Sequence, residues 1–213
     1  MIITFIAPPA AGKGTQSVKV SGKYGIPHIS TGDLLRNLGS EDVKKDLSEG
    51  KFVSDELVSD LLKKRINEPD CANGYVLDGY PRNLNQAKIY ETILNESQRE
   101  NSIVIVLDLD KSIAVKRIIG RKVCQNCGAV FNDLIEGAKS KEEDICDKCH
   151  HKLIKRTDDT RETFEKRLAI YEKDTKPLID YYEQKGMAYH VNSGISSENT
   201  FEEIIKIIGG LYD

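Results

Sequence analysis

Residues 1–16, MIITFIAPPAAGKGTQ, run a short apolar segment straight into Ala7-Pro-Pro-Ala-Ala-Gly12-Lys13-Gly14-Thr15. The apolar run, residues 2–7, stops at Pro8-Pro9 and suits a central strand buried on both faces. A strand, a turn, G-K-G-T and a helix, in that order, form the pattern of a phosphate-binding loop, whose usual form is G-x-x-x-x-G-K-[ST]. In such a loop the backbone N–H groups make an anion nest, aided by the positive end of the following helix. Ala10, Ala11, Gly12, Lys13, Gly14 and Thr15 are therefore expected to wrap a nucleotide's phosphates. Lys13 would reach the β- and γ-phosphates, and the Thr15 hydroxyl would ligate Mg²⁺. Two positions that are often glycine are here Ala7 and Ala10. Alanine keeps its N–H, so the nest loses no donor. A left-handed backbone at either position would cost about 1–2 kcal/mol, whereas two negative φ angles would leave the loop with nothing essential lost.

Working outward, the chain alternates strands and helices. Strands are expected over residues 2–7, 26–29, 75–78, 103–108 and 188–191. Helices are expected over 13–24 (ended by Gly25), 33–66 with a break at Glu49-Gly50, 83–99, 111–120, 160–186 and 201–211. Pro177 should kink or divide the long helical stretch, because proline removes a backbone donor. Strands alternating with helices predict an α/β fold, with a parallel five-stranded sheet covered by helices. Residues 121–159 differ in character, being rich in Cys, Lys, Asp and Gly and poor in apolar periodicity. They read as a separate small module hung from the core.

The 213 residues are 39% hydrophobic and 31% charged with a net charge of −3, an ordinary globular composition that argues against a basic nucleic-acid-binding face. No apolar run approaches the roughly 20 residues of a membrane span. The N-terminus has no basic segment before its apolar run and reads as a strand rather than a signal peptide. Residence in the cytosol, with no nucleic-acid or membrane partner, is the expectation.

Of five cysteines, four form the pairs Cys124-x-x-Cys127 and Cys146-x-x-Cys149, separated by eighteen residues. In a reducing compartment this is zinc spacing, and four thiolates make a closed, structural tetrahedral site. Cys149-His150 also completes a C-x-x-C-H haem-attachment pattern, which leaves the first pair unexplained. A nucleic-acid-binding zinc ribbon is a further reading, but acidic residues interleave with Lys139, Lys141, Lys148, Lys152 and Lys155 and favour a solvated surface. Cys71, alone before a strand, reads as a structural thiol. His28 and His190 read as packing or surface residues.

Further segments turn the phosphate loop into a specific expectation. Lys23-Tyr24-Gly25-Ile26-Pro27, Ile29-Ser-Thr31-Gly-Asp33-Leu-Leu-Arg36, Leu77-Asp78-Gly79-Tyr80-Pro81-Arg82, Gly120-Arg121-Lys122 and the paired cysteines together closely resemble the adenylate kinase family. The likeness is to its long, zinc-lid form and covers essentially the whole chain. The resemblance implies Mg²⁺-dependent, reversible phosphoryl transfer from ATP to AMP, giving two ADP. It implies a P-loop core of residues 1–29, 54–121 and 160–213, a small helical acceptor-binding arm of 30–53, and a zinc-binding lid of 122–159, with arm and lid closing over the substrates.

By the same resemblance, Arg36 and Arg82 hold the acceptor phosphate, while Lys13, Arg82, Arg121, Arg156 and Arg167 surround the transferring group. Arg117 and Arg121 bind ATP, Arg117 by stacking on its adenine. Thr31 and Gln86 read the acceptor base, Gly79 lies against AMP, and Lys51 and Val53 contribute backbone contacts. Thr15, Asp78 and Asp33 would hold Mg²⁺, mostly through water, with Asp158 and Asp159 as secondary candidates. Chemistry agrees with these roles, since positioning and positive charge carry phosphoryl transfer and arginine's planar fork grips phosphate bidentately. Asp108 also ends a strand and competes with Asp78, which is favoured by the Gly-Tyr-Pro-Arg that follows it. Pyrimidine monophosphate kinases resemble the core as well, but they typically carry alanine at the position of Thr31 and lack a large lid. The stretch from Arg36 to Lys51 is several residues shorter than the family's usual arm.

Overall fold

Apolar runs too short to be helices pair into one sheet, and the computed structural model describes them within residues 1–38, 53–99, 103–155 and 159–212. Strands β1 (Ile2–Ile6), β2 (His28–Ser30), β3 (Tyr75–Asp78), β4 (Ile103–Asp108) and β8 (Ala188–Asn192) form a parallel sheet in the order β2-β3-β1-β4-β8. All five residues of β1 are buried, as the central position requires.

Strand alternation then divides the core. Ile2 on one face joins Ile29, Leu62, Ile66, Leu77 and Tyr90 beneath helices α3 (Asp55–Ile66) and α4 (Leu84–Glu96). Ile6 joins Val104, Val106, Leu178 and Tyr182, bringing α7 (Lys176–Gln184) to the sheet. Ile3 and Phe5 face the opposite way, onto Val20, Ile204 and Ile208 of α1 (Lys13–Tyr24) and α8 (Ser197–Tyr212). Each fully buried side chain of this kind contributes about 1.5–3 kcal/mol. The remaining helices are α2 (Thr31–Leu38), α5 (Lys111–Ile119) and α6 (Arg161–Ile170). Gly74, at φ 119°, lets β3 pass the chain start; a side chain there would run into the Met1 carbonyl, which accepts from the Tyr75 N–H at 3.1 Å.

Some boundaries differ from expectation for local reasons. The expected strand over 26–29 begins at His28, because the Ile26 N–H is used in ending α1 on the Ser21 carbonyl. Helix α8 starts at Ser197 rather than Phe201, since the Ser196 hydroxyl caps it by accepting from the Asn199 N–H. The helical stretch containing Pro177 is divided as expected. A single π-turn, Tyr171–Thr175, separates α6 from α7, and the Lys176 N–H reaches back five residues to the Tyr171 carbonyl.

Residues 121–159 hold more regular structure than their composition suggested. Strands β5 (Arg121–Cys124), β6 (Val130–Asn132) and β7 (Leu153–Ile154) form a second, antiparallel sheet ordered β6-β5-β7. Two to four residues per strand are too few to show alternation. Its small core is Cys124, Cys146 and Leu153, with Ala129, Phe131 and Cys149 against it.

Candidate active site

The phosphate loop leaves the C-terminal end of β1 and enters α1 through Gly12, whose left-handed φ of 84° supplies the helix N-cap. The Ala11 N–H donates to the Pro8 carbonyl at 3.3 Å and the Gln16 N–H to the Gly12 carbonyl at 3.0 Å. Ala7 is not left-handed, but Ala10 is, at φ 69°. The condition that both angles be negative therefore fails at Ala10, where the alanine carries steric strain that glycine would not. Ala10 packs, partly buried, against the cluster of Ala114, Ile118, Phe164 and Leu168 from α5 and α6.

Lys13, first in α1, pairs with Asp78 at the end of β3, and His28 Nε2 lies 3.4 Å from the other carboxylate oxygen of Asp78. Burial raises the cost of ionising Asp78, but the Lys13 ammonium and the hydrogen bonds from His28 and Lys13 outweigh it, holding the carboxyl below its usual range. Asp108 is exposed and instead accepts from His190 Nδ1 at 2.8 Å, so of the two strand-ending acids only Asp78 meets the loop. Gly14 passes so close that a Cβ there would touch Asp78 Oδ2 at 3.4 Å.

Gly79 is the hub of the second half of the site. Its φ is 87°, and a Cβ would sit 3.0 Å from Thr31 Oγ1, 3.2 Å from Arg82 Nη2 and 3.5 Å from Lys13 Nζ. The Gly79 carbonyl accepts from Thr31 Oγ1 at 2.9 Å and from Arg82 Nε at 2.8 Å. Thr31 thus has lone pairs, not its proton, left to offer a ligand. Gln86 is buried, its Oε1 accepting from the Arg82 N–H at 2.7 Å and its Nε2 donating to Asp55 Oδ1 at 2.7 Å. Val53 packs partly against the core near Leu35 and Val58. Asp33 is exposed in the first turn of α2, its N–H donating to Ser30 Oγ at 3.3 Å.

On the other side of the loop, Arg117 of α5 donates to the Ser193 carbonyl at 2.6 Å and the Ala10 carbonyl at 3.4 Å. Burial pulls its pKa down, but a guanidinium this far above neutrality stays charged. Arg121, at the start of β5, grips Asp159 with both Nε (2.8 Å) and Nη2. Asp159, a secondary cation candidate, is buried and paired with this arginine. Arg167 is exposed on α6. Lys51, Arg156 and Asp158, and the side chain of Arg36, lie outside the described residues.

The cysteine pairs converge. Sγ of Cys124, Cys127, Cys146 and Cys149 all lie within 4.8 Å of one another, with Cys124–Cys149 at 3.3 Å and Cys127–Cys146 at 3.5 Å. Four thiolates about 2.3 Å from a shared zinc need separations of this order, so the donor set fits Zn²⁺. The thiols titrate as a coupled set: the His151 backbone N–H pulls Cys149 down, while hydrogen bonds from its cysteine neighbours push Cys127 up. Cys71 is buried, with Arg65 Nη1 2.9 Å from its sulfur, in keeping with a structural thiol.

Some neighbours of the site carried no sequence signal. His28, read as a packing or surface residue, lies with its ring 3.4 Å from Asp78. Asp55 looks like an ordinary first-turn helix acid, and the Ser193 carbonyl is a backbone atom.

A parallel sheet with a G-K-G-T loop on its central strand, and an acid from the neighbouring strand against the loop lysine, defines a P-loop nucleotide-binding protein. Residues 5–187 match the sequence profile of the family described as adenylate kinase. The chain is 42% identical to an adenylate kinase of Archaeoglobus fulgidus, covering 98% of each. It is 40% identical to one from Caldanaerobacter subterraneus subsp. tengcongensis, over 99% of this chain and 97% of that one. With one from Thermotoga neapolitana it shares 37%, over 97% and 96%. The chain belongs to the adenylate kinase family and is an enzyme of that family. Among the described residues, no helix is long and apolar enough to cross a membrane.

Proposed function

We propose that the protein transfers the γ-phosphoryl group of Mg²⁺-bound ATP to AMP, reversibly, yielding two ADP. The observation that supports this reading is the convergence of Lys13, Thr31 and Arg82 around Gly79, as a phosphate loop beside an acceptor-phosphate site would require. Two anionic chains brought end to end repel, so the arrangement must supply fixed positive charge where they meet. Lys13 serves the β/γ-phosphates and Arg82, with Arg36, the acceptor phosphate. Arg121, Arg156 and Arg167 surround the transferring group, with Arg121 exchanging Asp159 for phosphate oxygens. The loop from Ala10 to Thr15 donates its N–H groups, and Arg117 lies under the ATP base. Thr31, Gly79, Gln86, Lys51 and Val53 form the AMP site.

Thr15, Asp78 and Asp33 would hold Mg²⁺, mostly through water; the ion neutralises and orients the phosphates when bound. The four cysteines would hold Zn²⁺ as a brace for the lid. Residues 30–53 would form the acceptor-binding arm and 122–159 the lid on a core of 1–29, 54–121 and 160–213, and their closure over the substrates would exclude the water that otherwise hydrolyses ATP. We place the protein in the cytoplasm as a monomer whose partners are nucleotides.

The test is a Mg²⁺-dependent ADP-formation assay with AMP, CMP, UMP and GMP as acceptors, beside Lys13→Ala. AMP should turn over fastest, and the variant should lose about 100-fold or more in kcat. Faster turnover with CMP or UMP would overturn the acceptor assignment. Activity that survives without Lys13 would overturn the role of the loop.

A further inference from the structure

The Gln86 amide is ambiguous as a reader of bases, since turning it over exchanges its donor and acceptor. The surroundings of Gln86 remove that ambiguity. Asp55, first residue of α3, accepts from Gln86 Nε2 at 2.7 Å and Asn83 Nδ2 at 3.1 Å on Oδ1, and from Asn85 Nδ2 at 2.8 Å on Oδ2. An ionised carboxylate only accepts, so it requires the NH₂ end of the amide. The Arg82 backbone N–H only donates, and at 2.7 Å it requires the oxygen end. Ionisation of Asp55 is favoured, for although burial opposes it, the hydrogen bonds from Asn85, Asn83 and Gln86 prevail and lower its pKa. Asn83 anchors the same unit by accepting from the Gln86 N–H at 2.8 Å, capping α4.

We infer that Asp55 is a specificity-determining positioning residue, which locks the Gln86 amide in the one orientation that accepts a 6-aminopurine monophosphate and rejects a 6-oxopurine one. After both ties, the amide retains one N–H and one oxygen lone pair. Adenine presents an acceptor at N1 and a donor at N6, whereas hypoxanthine presents a donor at N1 and an acceptor at O6. The two edges are inverse, so an amide that serves one must turn over to serve the other. Thr31 works to the same end, because its proton is committed to Gly79 and only its lone pairs can meet the group at C6.

The inference rests on Gln86 facing the acceptor base, and the experiment separates the two ideas. kcat and KM are measured with AMP and with inosine monophosphate for the wild type, Asp55→Asn, Asp55→Ala and Gln86→Ala, with melting curves to gauge folding. Asp55→Ala removes the acceptor that holds the NH₂ end and leaves the Arg82 N–H as the one remaining tie, so it should lower the AMP-over-IMP preference in kcat/KM by about tenfold, mainly through KM; Asp55→Asn keeps an oxygen for Gln86 Nε2 and should lower it less. Preferences within about twofold of wild type in both Asp55 variants, with Gln86→Ala raising the AMP KM, would overturn the lock while leaving the base reader intact. An AMP KM unmoved by Gln86→Ala would overturn the base-reading role and the lock with it. A variant destabilised by loss of the Asp55 contacts, but with the wild-type preference, counts against the inference, because a merely structural role predicts that result.

Discussion

Replacing Ala10 by glycine should be far less damaging than the same change at Ala7. Ala10 sits at φ 69°, and Ala7 is not left-handed. Relieving a left-handed alanine contributes about 1–2 kcal/mol. Against this, glycine's extra freedom in the unfolded chain costs about 0.5–1 kcal/mol. Each methyl is half-buried, Ala10 against the α5/α6 cluster and Ala7 against the core cluster around β1 and β4. At about 0.8 kcal/mol per fully buried carbon, its loss costs about 0.4 kcal/mol. Ala10→Gly should then change stability by between about −0.4 and +1.1 kcal/mol, a shift of no more than about 4 °C in Tm. Ala7→Gly lacks the relief and should lose about 0.9–1.4 kcal/mol. The difference between the two variants is the strain itself, because the methyl and entropy contributions nearly cancel. Urea denaturation without nucleotide measures it, since bound ligand would add its own stabilisation. Equal losses in the two variants would refute the reasoning and show that the loop accommodates Ala10 without strain.

The lid should carry one zinc per chain, and stripping it should lower the melting temperature of the lid region, because four thiolates closing on one ion supply folding energy. Metal analysis with melting curves before and after chelation checks this, and a metal-free protein equally resistant to heat would remove the bracing role. His190 should make a pH-dependent contribution to stability. Partial burial opposes its protonation, but Asp108 at 2.8 Å and Glu183 at 2.9 Å prevail and raise its pKa above the ordinary value. A raised histidine stabilises the fold fully below its unfolded pKa of about 6.5 and loses that contribution as pH rises through the folded pKa. The gap in urea midpoint between wild type and His190→Gln should therefore be widest near about pH 6 and close toward about pH 9. A constant gap across that range would exclude the ion pairs as its source.

What was legible in the sequence is what neighbouring residues decide among themselves. The run from Ile2 to Ala7 followed by G-K-G-T marks strand, loop and helix start, because burial on both faces and the need for a nest leave few other residue types. Helix α1 ends where Gly25 supplies a left-handed cap, at φ 63°. The cysteine spacing announced a tetrahedral cluster, and Asp78 was preferred to Asp108 from the residues that follow it. The short strands β5 to β7 were invisible, because two to four residues do not establish a period.

Tertiary structure alone decided which groups meet. Lys13 and Asp78 are paired across 65 positions and Gln86 and Asp55 across 31. Arg121 and Asp159 are joined across 38. Propensity says nothing about such pairs, since each depends on where the sheet and helices carry the two chain segments. The handedness of Ala10 belongs here too. An isolated alanine avoids positive φ, and this one adopts it where it packs, partly buried, against the cluster of Ala114, Ile118, Phe164 and Leu168, with the Arg117 guanidinium on its carbonyl at 3.4 Å. The sequence determined that a phosphate loop would form; which side chains surround it, among them the cluster of α5 and α6 against Ala10, was decided by the tertiary fold.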